Sequence, residues 1–439
     1  MSQIIDKFGR LVDRQVSTGH PKRALRLLRL AYASFGTYQK HFPSKQLAPS
    51  RQMMATLSMN YIRTPLAHPE RTAIVNFFMP CQMLHAMNIH SQVAEGMSCY
   101  ITGASAQQAF LEQAGAQGAP ETLCSYHRIL TGMALSDTLP APRFIANTSL
   151  VCDANTVTFR VLAEHYGVPH FTIDVPNSAG PDELAYVTRQ MVELKGFIED
   201  AMHERLDEDK LKASMALSNK SLATYRRYLD LLGDIALKND QTSEMYTVLA
   251  SHLMLGTPQS DAFFTQLEAD AKAAPRTAGL PAGKRPRRIL WAHVIPYYQK
   301  PVRDFFAPNP DGTYDNQLLC CDMTIDALDD LDPERPYESM ARRLLTDSFN
   351  GPAERRCGRI IEYARKLNAE GIIYFCHWGC RNTAGAAPLM SDLADEAGIP
   401  LLVLDGDGCD PGNTSDGQVA TRLEAFAELI DAQRGRNHA

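Results

Sequence analysis

The chain has 439 residues, 45% of them hydrophobic, with 44 basic against 50 acidic side chains and a formal net charge of −6. That length and apolar content supply two or three globular domains with sizeable cores. Charges of both signs are interspersed, which excludes the basic footprint of a nucleic-acid or anionic-membrane partner, and no apolar run reaches transmembrane length.

Residues 1–68 read as a basic, helical N-terminal arm, with apolar residues at helical spacing in Pro21-Lys-Arg-Ala-Leu-Arg-Leu-Leu-Arg. The first residues lack the charged and apolar regions of a secretory leader, so the expected location is cytoplasmic. Residues 69–180 change to an α/β pattern. Ala73–Phe78 is a predicted strand, and Pro80-Cys81-Gln82 turns into a helix whose first turn suits proline. Cys124 opens another helix. Arg143–Val151 is the clearest strand of this half and runs into Cys152 and a helix carrying Val157, Phe159, Val161 and Leu162; His170–Pro176 is the next strand.

Residues 181–275 show long helical patterns without a strand, and 276–288, rich in Pro, Gly and basic residues, reads as a linker. A second α/β domain, 289–439, begins with strands at Ile289–Ile295 and Gln317–Asp322. A helix from Arg359 to Ala369 then delivers the chain to the strand Ile372–Cys376, followed by the loop His377-Trp-Gly-Cys380. A helix presenting Leu389, Leu393 and Ala394 ends at Gly398, and Pro400–Leu404 is the last strand. A loop holding Cys409 leads into a final amphipathic helix. The expected class is α/β, with two doubly wound domains of flavodoxin or Rossmann type facing each other across a cleft, plus N-terminal and inter-domain helical segments.

Ten cysteines exceed what core packing needs, and in a reducing compartment metal ligation or catalysis explains clusters of them better than disulfides do. No C-x-x-C pair occurs, so any metal site must join cysteines distant in sequence. Cys124, Cys152 and Cys380 fall at helix starts, where backbone N–H groups and the helix dipole are expected to lower a thiol's pKa. Soft thiolates without accompanying histidines favour an iron–sulfur cluster, and three of them leave one iron of a [4Fe–4S] cube open. Cys376 and Cys409 are further ligand candidates. Cys99, Cys320, Cys321 and Cys357 are assigned to packing, and His127, His293 and His377 are acid/base candidates. Asp405-Gly-Asp-Gly-Cys-Asp resembles a calcium loop in composition only, because it lacks the closing glutamate.

His377-Trp-Gly-Cys380-Arg, then Gly398-Ile-Pro-Leu-Leu-Val-Leu-Asp-Gly-Asp-Gly, then Gly417-Gln-Val-Ala-Thr-Arg422-Leu-Glu-Ala-Phe426 resemble the C-terminal signature of the 2-hydroxyacyl-CoA dehydratase and benzoyl-CoA reductase family. Pro80-Cys-Gln-Met-Leu-His-Ala-Met resembles its Pro-x-Glu turn, and Cys124-Ser and Cys152-Asp-Ala resemble its first two cysteine sites. The resemblance spans 70–180 and 286–432 and implies an oxygen-sensitive [4Fe–4S] cluster held by Cys124, Cys152 and Cys380. It further implies a 2-hydroxyacyl-CoA substrate, one electron injected by an ATP-dependent iron–sulfur activator, a ketyl radical that expels the hydroxyl, and a homologous second subunit or a homodimer. Gln82 stands where the family has a glutamate implicated in acid/base chemistry, and an amide cannot exchange that proton. Gln418, Thr421 and Arg422 match the signature at a helix start suited to a CoA phosphate. Two alternatives follow: an ATP-dependent reductase with a double-cubane [8Fe–9S] cluster, drawing on Cys81, Cys376 and Cys409, and a non-catalytic iron–sulfur or CoA-binding partner subunit.

Overall fold

The computed structural model describes residues 2–44, 47–296, 298–326 and 328–437. Its centre is a pair of four-stranded, wholly parallel sheets, each with helices on both faces. The first sheet holds β1 (Thr72–Val75), β2 (His90–Val93), β3 (Phe144–Thr148) and β4 (His170–Ile173) in the order β2-β1-β3-β4. The second repeats that order with β5 (Arg287–Ala292), β6 (Asn316–Cys321), β7 (Gly371–His377) and β8 (Leu401–Gly406), as β6-β5-β7-β8. In each sheet the order reverses direction beside its first strand. Loops leaving the carboxyl ends of neighbouring strands diverge there, which is where open α/β sheets bind ligands.

Strands of the second sheet, the edge strand β6 included, are buried on both faces, as parallel sheets require. β5, β6 and β7 carry Ile289, Leu290, Trp291, Leu318, Ile372 and Ile373, all at 0% exposure, and burying each such side chain contributes roughly 1.5–3 kcal/mol. One face of the second sheet packs on helices Glu208–Leu232 and Pro258–Ala273; the other packs on Val419, Leu423 and Phe426 of the last helix. One face of the first sheet packs on helix Pro181–Met202, which also takes Met340 and Leu344 from the second half. Helix Pro49–Ala67 joins two cores, with Met54 in that of the second sheet and Met59 and Ile62 in that of the first. No helix among the described residues is long and apolar enough to cross a membrane.

Seven strands coincide with apolar runs in the sequence. β2 does not: its residues are His-Ser-Gln-Val, and Ser91 and Gln92 are buried at 3% each. Ser91 is satisfied by Tyr61, whose hydroxyl lies 2.7 Å away, so a polar segment is held in the sheet by its neighbours rather than by its own apolar character. The Pro- and Gly-rich stretch before β5 ends in an anchor. Arg288, 5% exposed, donates to the carbonyls of Leu232, Ile235, Leu367 and Asn368 at 2.6–3.1 Å, tying the helical region to the second sheet.

Candidate functional site

Cys124, Cys152 and Cys380 are the N-caps of helices Ser125–Leu135, Asp153–Tyr166 and Arg381–Ala397. Two come from the first half and one from the second. They are the three half-buried cysteines; the other seven are buried. Gly379 makes the approach possible, because a Cβ there would lie 2.4 Å from Cys124 Cα and 2.6 Å from its N. Backbone atoms cannot yield as a flexible side chain would. Gly379→Ala is therefore expected to cost about 1–3 kcal/mol in urea unfolding and to push Cys380 away from Cys124.

The thiols interact electrostatically. Burial raises the Cys124 pKa well above the ordinary thiol value, and the charges of Cys152 and Cys380 raise it further. Cys152 is pushed up to about 11, by burial first and then by Cys380 and Glu95. The expected lowering at helix starts is thus corrected: amides of Tyr126, Ala154 and Asn155 do act in that direction, but desolvation and mutual repulsion outweigh them. The thiols of Cys124 and Cys152 therefore hold their protons until a cation compensates the charge gathered there. Among the described residues, no group of three His, Cys, Asp or Glu is close enough to hold a single metal ion. Thiolates of a cluster bind separate irons and stand farther apart, so the soft, three-sulfur donor set fits a cluster.

The other ligand candidates sit inside apolar cores, and of them Cys376 feels the charge of Cys380. Cys81, fully buried, donates to the Met79 carbonyl at 3.3 Å and is pushed up to about 12 by burial. Cys409 hydrogen-bonds the Cys99 side chain inside the core of the first sheet. Cys376 lies within β7, faces the core of the second sheet and is pushed up to about 11 by burial. Gln82 is 4% exposed and donates to Ser218 Oγ at 3.4 Å; with Phe77, Phe78 and His252 it lines a cavity of about 50 Å³.

A carboxyl that sequence reasoning missed is electrostatically coupled to one of the thiols. Glu95 is the second residue of helix Ala94–Gly103, directly after β2, and its Oε1 accepts from the Phe77 N–H at 3.3 Å. Its Oε2 is buried without a partner among the described residues. Burial raises its pKa to about 7, against the lowering effect of backbone amides, and its charge is felt at Cys152. A carboxyl with one fixed oxygen, one unsatisfied oxygen and a near-neutral pKa has the properties of a general acid/base.

The three histidines converge. His377 closes β7 with its Nε2 3.1 Å from Cys124 Sγ. Its ring lies 5.5 Å from that of Tyr126 and 6.3 Å from that of His293, and His127 is held down to about 4, by burial first and then by His377. His293 follows β5 in a left-handed backbone conformation, φ 78°, and both its ring nitrogens are buried without partners among the described residues. Asp407, from the loop after β8, accepts from Ser125 Oγ and from the N–H groups of Cys409 and Asp410 at 2.9 Å, joining the second-half loop to the helix that Cys124 caps. On the outer side, Gln418, Thr421 and Arg422 line an open cavity of about 630 Å³ with Trp378. Arg422 is committed to Asp405 at 3.3 Å and to the Val403 carbonyl.

Comparison with known proteins matches residues 76–430 to the family of the 2-hydroxyglutaryl-CoA dehydratase D-component. The chain is 21% identical over 357 residues to the (R)-phenyllactyl-CoA dehydratase alpha subunit of Clostridium sporogenes, across 74% of this chain and 81% of that one. It is 22% identical over 317 residues to the (R)-2-hydroxyglutaryl-CoA dehydratase subunit alpha of Acidaminococcus fermentans, across 67% of this chain and 62% of that one. The matched region takes in the second sheet, β2, β3 and β4 of the first, the three half-buried thiols and Glu95, and the chain belongs to the 2-hydroxyglutaryl-CoA dehydratase D-component family.

Proposed function

We propose that this chain is the cluster-bearing subunit of an oxygen-sensitive 2-hydroxyacyl-CoA dehydratase that eliminates water after ATP-driven one-electron activation. The observation that carries the reading is the meeting of Cys124, Cys152 and Cys380 at three helix starts drawn from both sheets. These residues would hold a [4Fe–4S] cluster, which when bound supplies a low-potential electron and an open iron position to the thioester end of the substrate.

The chain's own groups account for the proton chemistry. The hydrogen at carbon 3 of the substrate becomes removable only after reduction of the thioester, and a base must then be waiting. Glu95 Oε2 takes that proton, while the Phe77 N–H fixes Oε1 and so fixes the direction of the free oxygen. Gln82 plays no part in proton transfer, because its amide cannot exchange the proton. A homologous second subunit, or a second copy of this chain, and an ATP-dependent iron–sulfur activator complete the enzyme.

The burial of Cys81 and Cys409 against other partners favours the four-iron cube over the double cubane. Glu95 favours a catalytic role over that of a passive partner. The test is anaerobic reconstitution followed by iron and sulfide analysis, then dehydration of a panel of 2-hydroxyacyl-CoA thioesters with activator, ATP and partner subunit. About four irons per chain and alkenoyl-CoA product are expected. A folded chain that takes up no iron would overturn the reading.

A further inference from the structure

His377 is 2% exposed and fixed from several sides. Its Nδ1 accepts a hydrogen bond from the Gly408 N–H at 3.0 Å. That nitrogen must therefore present a lone pair, and in the neutral ring the proton belongs to Nε2. Nε2 faces Cys124 Sγ at 3.1 Å. Gly408 is itself held close, since a Cβ there would meet Tyr126 Cε2 at 2.4 Å, and the Tyr126 ring stands edge-on to the imidazole, 86° between planes. Asp407 Oδ1 lies 3.8 Å from Nδ1, beyond hydrogen-bond reach, with its lone pairs taken by Ser125, Cys409 and Asp410. The imidazole thus has one tautomer, with its N–H aimed at sulfur.

We infer that His377 is a positioning residue whose Nε2–H donates to Cys124 Sγ, holding that sulfur in place and, in the loaded site, raising the reduction potential of the cluster. The second half of this inference rests on the cluster reading above; the first half does not. Hydrogen bonds to cluster sulfurs favour the more negative, reduced state, which is how a protein adjusts potential without changing ligands. The device also couples the halves, since Cys124 and His377 are 253 positions apart.

The test compares wild type with His377→Gln, whose amide reaches the Nε2 position, and His377→Asn, whose amide reaches only Nδ1. In the metal-free chain, iodoacetamide labelling of each cysteine is followed by peptide mass mapping at fixed pH. His377→Asn is expected to slow Cys124 labelling roughly three- to tenfold, and His377→Gln to stay within about twofold of wild type. Equal Cys124 rates in all three, or a Gln variant as slow as Asn, would overturn the hydrogen bond; thermal melts confirm that each variant is folded. In the iron-loaded proteins, EPR-monitored titration is expected to show a more negative midpoint for Asn and a near-native one for Gln. An unchanged midpoint in the Asn variant would overturn the tuning role. If wild type binds no iron, the cluster reading falls while the labelling still decides the hydrogen bond.

Discussion

Alanine at any one of Cys124, Cys152 or Cys380 is expected to drop iron from about four per chain to near zero and dehydration to background. The reason is the lack of a spare thiol. Cys81 and Cys409 point to other partners inside apolar cores, and Cys376 is locked within β7, so none can move in without breaking a strand or a core. Alanine at Cys81 or Cys409 is expected to leave iron content unchanged, with a modest stability loss from the vacated volume. The three ligand variants should fold, because each removed sulfur is half-buried and its loss vacates little core volume. Full iron in Cys380→Ala together with its loss in Cys376→Ala would place the third ligand on the strand instead. About eight irons in wild type would favour the double cubane.

Glu95→Gln is expected to lower turnover by about 10²–10⁴-fold while iron content stays at the wild-type level. The substitution is nearly isosteric and keeps an oxygen for the Phe77 N–H, so what it removes is the exchangeable proton. With a pKa near 7, wild-type activity should fall about tenfold per unit as pH drops below that value, because the carboxylate is the base. Stability provides an independent readout with the opposite sign. The folded-state pKa is raised above the unfolded one, so the group's contribution is fully present below about pH 4.5 and is lost as pH rises through about 7. Glu95→Gln should therefore be more stable than wild type at pH 8, by on the order of 2 kcal/mol after allowance for residual exposure, and no more stable at pH 4. Undiminished turnover in this variant would remove Glu95 from the mechanism. Turnover lost in Gln82→Ala but kept in Glu95→Gln would return the acid/base role to the neighbourhood of Gln82.

The strands and the thiols are legible in the sequence for the same reason. Buried parallel strands need continuous apolar runs, and a cysteine directly after such a run, at a helix start, falls at the carboxyl edge of a sheet. Cys152 and Cys380 could be picked out that way as thiols at a sheet edge; Cys124, which follows helix Gln108–Ala116 and not a strand, is marked locally only by the helix it opens. Glu95 could not, because the strand before it is His-Ser-Gln-Val and carries no apolar run. Its polar residues are paid for by tertiary partners such as Tyr61, which no local pattern reveals. Once β2 is known, the signal is plain: Glu95 is an acidic residue in the first helical turn after a strand, as Cys152 is a thiol at the helix start that follows β3. The sign of the thiol pKa shifts was illegible for a related reason. Helix position is local, whereas burial and the mutual repulsion of three sulfurs depend on segments that meet only in the folded chain.

The N-cap placement of the three thiols, split between two sheets, also orders the protein's biogenesis. A zinc finger gathers its ligands from one short segment, and metal binding is its folding step. Here the third thiol is far along the chain from the first two, and until both sheets have formed and Gly379 has settled against Cys124 there is nowhere for a cluster to go. If the three thiols hold the proposed cluster, maturation follows folding: the polypeptide would build the socket first, and iron and sulfide would be delivered to it afterwards. Oxidative loss of the cluster should leave that socket standing, ready for repair by reinsertion rather than by synthesis of a new chain.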